Sequence, residues 1–157
     1  MAIIDKLNRL TSAQTFSSSA VTTDSLPLAG TGLEMFATTP MAMVFTVTTA
    51  ALLVGTEAMT FRVHSATNAD GTTGAVVIAQ SPLYTVASGA IANRPDSLVA
   101  GSQVVVPIVP GSIPATATHI AGYVLIASSA NVSCTVDIMP LSHVDFGSKK
   151  YADSVGY

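Results

Sequence analysis

Polar and apolar residues alternate with period two along most of the chain, and the pattern is cleanest at 119–141, HIAGYVLIASSANVSCTVDIMPL. Ile120, Gly122, Val124 and Ile126 share one parity; beyond Ser128-Ser129-Ala130-Asn131, so do Val132, Cys134, Val136 and Ile138. Two alternating runs about a short polar link predict a β-hairpin. Tyr123 and Leu125 make the first run apolar on its other face too, whereas the second carries Ser133, Thr135 and Asp137 there. The first strand is therefore expected to be the more central. Pro140 marks the end of the second, because a proline has no N–H to give to a ladder.

The same reading extends upstream. Ile3, Ile4, Leu7 and Leu10 fall at roughly helical spacing, which fits one or two helical turns or an extended arm equally well. A helix that short is marginal in water and needs a surface to dock on. Residues 14–28, rich in β-branched and hydroxyl side chains, read as one strand or two short ones closed by Pro27, Gly30 and Gly32. Strands are expected at 33–39 and 41–49, split by Pro40, with Met41, Met43, Phe45 and Val47 on one face. In AMTFRVHSA, residues 58–66, Met59, Phe61 and Val63 face one way, and Thr60, Arg62 and His64 form a face expected to be solvated. Asp70-Gly71 supplies a positive φ for a turn within 68–74. Further short strands are expected at 76–80, 83–87 and 104–109, with a long connecting loop at 88–102.

Short strands between frequent turns, with no repeat period, predict an all-β, antiparallel β-sandwich, most plausibly a jelly roll. It spans 13–141, with an N-terminal arm or short helix over 1–12 and a C-terminal arm over 142–157. That tail, SHVDFGSKKYADSVGY, scatters Phe146, Tyr151 and Tyr157 among Gly, Ser, Asp and the pair Lys149-Lys150. One domain of 157 residues buries about 70% of its unfolded surface, so neither metal nor disulfide is needed to hold it.

Composition narrows the function. Only 10% of residues are charged, against about 25% in average soluble proteins, and mean hydropathy is +0.55. A surface so poor in charge invites partners. Residues 35–56 are long enough to span a membrane as a helix, but Pro40, Gly55 and the period-two alternation argue for strands, and no tryptophan is present for the aromatic girdle of a membrane barrel. No membrane partner is expected. Six basic residues, scattered within a net charge of -3, leave no stripe for nucleic acid. The N-terminal MAIIDKLNRL lacks the apolar core of a signal peptide, so secretion by that route is not expected. Cys134, the single cysteine, reads as a small buried hydrophobe.

Catalytic chemistry finds little to use. His64, His119 and His143 are isolated in sequence, and nucleophile elbows, phosphate loops and paired-cysteine motifs are absent. Asn68 and Asp70 are too few for a calcium loop. No enzyme activity, cofactor or metal is expected.

Taken together, IIDKLNRLTSAQTFSSSAVTTDSLPL, SQVVVPIVP and AGYVLIASSANVSCTVDIMPL resemble the capsid cement, or decoration, proteins of tailed double-stranded DNA phages. The loop at 88–102 and the tail after Leu141 depart from that pattern. The resemblance implies a jelly-roll structural protein of the virion, made in the host cytoplasm. It would bind the major capsid protein on the outer surface of an icosahedral bacteriophage head, often as a homotrimer, and strengthen the shell against internal DNA pressure. The family has no active site to carry over. Contacts to a partner are instead expected from the arms: Ile3, Ile4, Leu7, Phe146, Lys149, Lys150, Tyr151 and Tyr157, since aromatic residues are over-represented at binding hot spots. A glycan- or receptor-binding sandwich of a phage particle is the alternative from a different class.

Overall fold

The computed structural model describes residues 9–28, 39–51, 53–85, 98–109 and 111–144. Those residues form the strands β1 (Arg9–Phe16), β2 (Ala20–Val21), β3 (Leu26–Pro27), β4 (Met41–Thr49), β5 (Ala58–Ala66), β6 (Val76–Gln80), β7 (Tyr84–Thr85), β8 (Gln103–Ile108), β9 (His119–Ala127) and β10 (Val132–Pro140). A 3-10 turn at Leu141–His143 follows. Every pairing is antiparallel. Sheet I runs β1-β10-β4-β8, and sheet II runs β2-β9-β5-β6 with β3 beside β9 and β7 beside β5.

The two sheets close on one apolar core, as the alternation requires. Met41, Met43, Phe45 and Val47 of β4 point inward with Val132, Cys134, Val136 and Ile138 of β10. They meet Met59, Phe61 and Val63 of β5 and Ile120 and Val124 of β9. Phe45 and Phe61 touch across the interface with ring centroids 5.1 Å apart, and Tyr84 sets its edge on Phe61 at 5.6 Å. Each such side chain contributes about 1.5–3 kcal/mol by leaving water. Gly122 leaves no room for a side chain: a Cβ there would stand 2.8 Å from Thr22 Cγ2 and 3.0 Å from Met43 Sδ. Burial also pushes the Cys134 thiol up to about 12, so it remains an uncharged apolar group.

Several expectations are corrected. Strands β9 and β10 are not a hairpin; β9 pairs with β5, β2 and β3, and β10 with β1 and β4. Their four-residue link carries the chain from sheet II to sheet I, and Ala130 within it is core. Both strands are interior to their sheets, so β9 is not the more central. The first strand begins at Arg9, which draws residues 9–12 into the sandwich, with Leu10 fully buried, rather than into an arm or helix. Residues 1–8 lie outside the described residues, as do positions 33–38, where a strand is expected, and most of 88–102. Of the strand expected at 83–87, Tyr84–Thr85 pairs with β5, and 86 and 87 are not described.

Candidate functional site

The eight residues expected to touch a partner, Ile3, Ile4, Leu7, Phe146, Lys149, Lys150, Tyr151 and Tyr157, all lie outside the described residues. The structure does describe the residues next to them, Arg9 and Val144. Arg9, at the start of β1, sits opposite Asp137 of β10, and Asp137 sits opposite Val44 of β4. At the other end of the chain, Val144 packs on Ala42 and Val44, with Val105, Met139 and Leu141 around it. Leu141 N–H donates to the Pro40 carbonyl at 2.9 Å, which turns the segment back over sheet I. The first and last described residues, Arg9 and Val144, therefore both lie against the outer face of sheet I, on either side of Asp137. The Asp137 carboxylate, 3% exposed, accepts from Arg9 Nε at 2.9 Å. Such a covered charge needs its partner, because a buried ion stripped of its counter-ion costs several kcal/mol.

The outer face of sheet II is built differently. Directly paired residues share a face, so Arg62 lies beside Tyr123, His64 beside Ala121, and Ala66 beside His119. On the other side of β5, Arg62 faces Gln80 and His64 faces Val77. This face is covered rather than solvated as expected: Thr60 and His64 are buried and Arg62 is half-buried. The alternation within β5 could not reveal this, because the cover comes from elsewhere. Tyr123 stacks on the His64 ring at 4.4 Å, and the loop after β5 lays Gly71 so close that a Cβ there would stand 2.8 Å from Ala121 Cβ. Gly71 has a φ of 69°, as the Asp-Gly pair requires. Both ring nitrogens of His64 and Nε of Arg62 are buried without a hydrogen-bond partner. Burial, reinforced by the neighbouring Arg62 charge, lowers the His64 pKa, so the ring is neutral at pH 7. A buried donor or acceptor without a partner costs about 1–3 kcal/mol, so this cluster is expensive where it stands.

Sequence reading missed the grouping of Arg62, His64, Tyr123 and His119. Only Arg62-x-His64, a pair of basic side chains on one face of an otherwise uncharged strand, signalled it. His119 is diagonal to His64 on the same face, while His143 belongs to the turn over sheet I. Thr118 Oγ1 donates to the Thr67 carbonyl at 2.7 Å, so toward His119 Nδ1, 2.8 Å away, it accepts. That polarity is the reverse of an activated nucleophile. Among the described residues, no group of three or more His, Cys, Asp or Glu is placed to hold a metal, and no helix is long and apolar enough to cross a membrane.

Of the remaining described carboxylates, Asp24 is exposed on the β2–β3 link and two others are held within loops. Glu57 accepts from Val54 N–H at 2.8 Å and from Ser129 Oγ at 3.0 Å, tying the β4–β5 link to the β9–β10 link at one end of the sandwich. Asp70 accepts from the amides of Thr72 and Thr73 at 2.9 and 2.8 Å and from the Thr73 hydroxyl, which together hold its carboxyl down at about 2. Neither a scan against protein-family models nor a search of curated proteins finds a match for this chain.

Proposed function

We propose that this chain is a structural protein of a phage particle, a cement or decoration protein that binds the major capsid protein on the outside of an icosahedral head and carries no catalytic activity. The observation that carries the reading is that the residues next to the two expected arms, Arg9 and Val144, lie against one face, the outer face of sheet I, around Asp137 and Val44. Two arms carrying Ile3, Ile4, Leu7, Phe146, Tyr151 and Tyr157 beside one face would suit a protein that grips a shell with that face, and they would add contacts without a larger sandwich. A chain with only 10% charged residues leaves much uncharged surface that can be buried without stranding ions. The strand order supports the jelly-roll assignment within the sandwich, because β4 and β5, β9 and β10, and β8 and β9 each pass from one sheet to the other. Self-association as a homotrimer is part of the same reading, since many weak arm contacts become firm when copies cooperate on a lattice.

The test is truncation after Val144, which removes 145–157 and keeps the cover over Ala42 and Val44. The truncated and full chains are compared by oligomer mass in solution and by occupancy on emptied heads of the parent phage. Occupancy is expected to fall at least tenfold with the melting temperature unchanged. Full occupancy and full oligomer mass after truncation sink the reading of the tail, and failure of the intact chain to bind heads sinks the shell reading altogether.

A further inference from the structure

We propose that Arg62 and His64, on the outer face of sheet II, form a docking point for a carboxylate of a partner protein, an Asp or Glu side chain on an acidic surface. The two side chains are two residues apart on β5 and point the same way, with Tyr123 beside Arg62 fixing the His64 ring by stacking at 4.4 Å. Three nitrogens, Arg62 Nε and both nitrogens of His64, are buried without a partner in this one patch, and His64 is only 8% exposed. A neutral imidazole offers one donor and one acceptor, so the patch holds two unused donors, Arg62 Nε and one ring N–H, which call for an acceptor.

Among the described residues the fold does not supply one: Asp24 is exposed on the β2–β3 link and bonds to neither side chain. Asp137 is engaged by Arg9, Glu57 by Val54 and Ser129, and Asp70 by Thr72 and Thr73. Of the described cations, Arg9 has its carboxylate and Arg62 has none. No described carboxylate reaches these nitrogens, and the acceptor is assigned to a partner. A guanidinium presents a planar fork that a carboxylate matches with two parallel bonds, and a single cation beside a neutral ring suits a singly charged group. Arg62, half-buried, is the more accessible of the two side chains.

Protonation is linked to this contact. An anion placed beside His64 favours the imidazolium, which burial and Arg62 disfavour in the empty site. Docking therefore takes up a proton and tightens as pH falls. The groups around the ring are Arg62 on its own strand, Tyr123, Ala121 and the diagonal His119 on β9, and Val77 and Gln80 on β6. From the β5–β6 loop comes Asp70, whose carboxylate is already bonded.

The proposal is independent of the shell reading, since it concerns the sheet opposite the arms and its test needs no shell. The histidine ring nitrogens of the full-length protein are followed by ¹⁵N NMR during titration with acetate, inorganic phosphate or a tetraglutamate peptide at constant ionic strength. The expected result is movement of the His64 nitrogens with acetate and with the peptide, at least tenfold tighter binding of the peptide, and affinity that rises between pH 7.5 and 5.5. Arg62→Gln is expected to abolish binding, Arg62→Lys to retain part of it, and His64→Gln to remove the pH dependence, with thermal melts verifying that each variant folds. Phosphate binding as tightly as the peptide would overturn the partner carboxylate in favour of a small-anion site. The proposal also fails if His64 responds to no probe, or if folded Arg62→Gln binds like the wild type.

Discussion

The outer faces of the two sheets each bury a charged or titratable side chain, Asp137 on one and His64 on the other, but only one of them is chemically settled. On sheet I the buried carboxylate of Asp137 has Arg9, and the apolar pair Ala42 and Val44 has Val144 above it. On sheet II, His64 is buried to a similar degree with neither ring nitrogen bonded, beside an Arg62 whose Nε is equally unpartnered. Burial alone does not distinguish them. What differs is whether the cover brings hydrogen-bond partners with it, and the lesson is that a face can be closed by aromatic stacking and a glycine turn while its polar groups remain unspent. The settled face stabilises the fold, and the unsettled one holds capacity for binding.

The largest effect is expected where the two sheets share a neighbour. Gly122→Val would drive methyl groups into Thr22 and Met43, and forcing bulk into a filled core costs about 1–3 kcal/mol, occasionally more. Both sheets should weaken together. Cys134 reports this directly: its buried thiol, held near 12, is expected to react with a thiol reagent at pH 8 only through opening, and many times faster in the variant. An unchanged labelling rate would mean that the sheets separate there without cost.

Arg9→Met is the next in size and should act through sheet I alone. It strands the Asp137 carboxylate, and because Arg9 is itself 38% exposed and water can enter, the expected loss is about 1–3 kcal/mol rather than the full cost of a deeply buried ion. Adding Asp137→Leu should restore much of it, as measured by urea denaturation at pH 7. Loss of the same size in the double variant would show that the packing of the Arg9 stem, not its charge, matters.

His64→Phe should do the opposite on sheet II. Phenylalanine keeps the stack on Tyr123 and removes two unpartnered nitrogens, so stability at pH 7 is expected to be unchanged or higher by up to about 1 kcal/mol. The sign with pH follows from the lowered His64 pKa. Unfolded chains take up a proton near 6.5 and the folded protein only at lower pH, so wild-type stability is full above 6.5 and declines as pH falls toward the folded value. The variant should lose that part of the decline; an identical pH profile between pH 7.5 and 5 would refute the assignment.

The inner core was legible because alternation in β4, β5 and β10 has a single inward solution: Met43, Phe45, Phe61, Val63 and Val136 face where their parity says. The outer faces were not, and for a physical reason. Their cover is remote in sequence, with Tyr123 over His64 and Val144 over Val44, and period-two patterns report nothing about what a distant segment lays on the far side. The link between β9 and β10 was misread on similar grounds, since a hairpin and a crossing between sheets both put two alternating strands around a short link. Ala130 was the available hint: an apolar residue in a hairpin tip would be exposed, and this one is core.

The smallest expected effect concerns the loop that helps cover sheet II. Asp70 is exposed, and three donors from Thr72 and Thr73 hold its carboxyl at about 2, below the ordinary 3.8. A depressed carboxyl stabilises the fold above its unfolded pKa and stops doing so as pH falls through the folded one, so the contribution is whole above about pH 4 and lost toward pH 2. Solvent screens a group this open, and the global stability should hardly register it. Local signals should. The Thr72 and Thr73 amide shifts are expected to titrate with a midpoint near 2 in the wild type and not at all in Asp70→Asn, whose amide oxygen still accepts from both N–H groups. A midpoint at the ordinary 3.8 would mean the turn does not hold the carboxylate in solution. Because Gly71 of the same turn rests on Ala121, beside His64, loosening the turn in acid should also bring forward solvent access to the His64 ring, an effect with no counterpart on sheet I, where Val144 and Arg9 provide the cover.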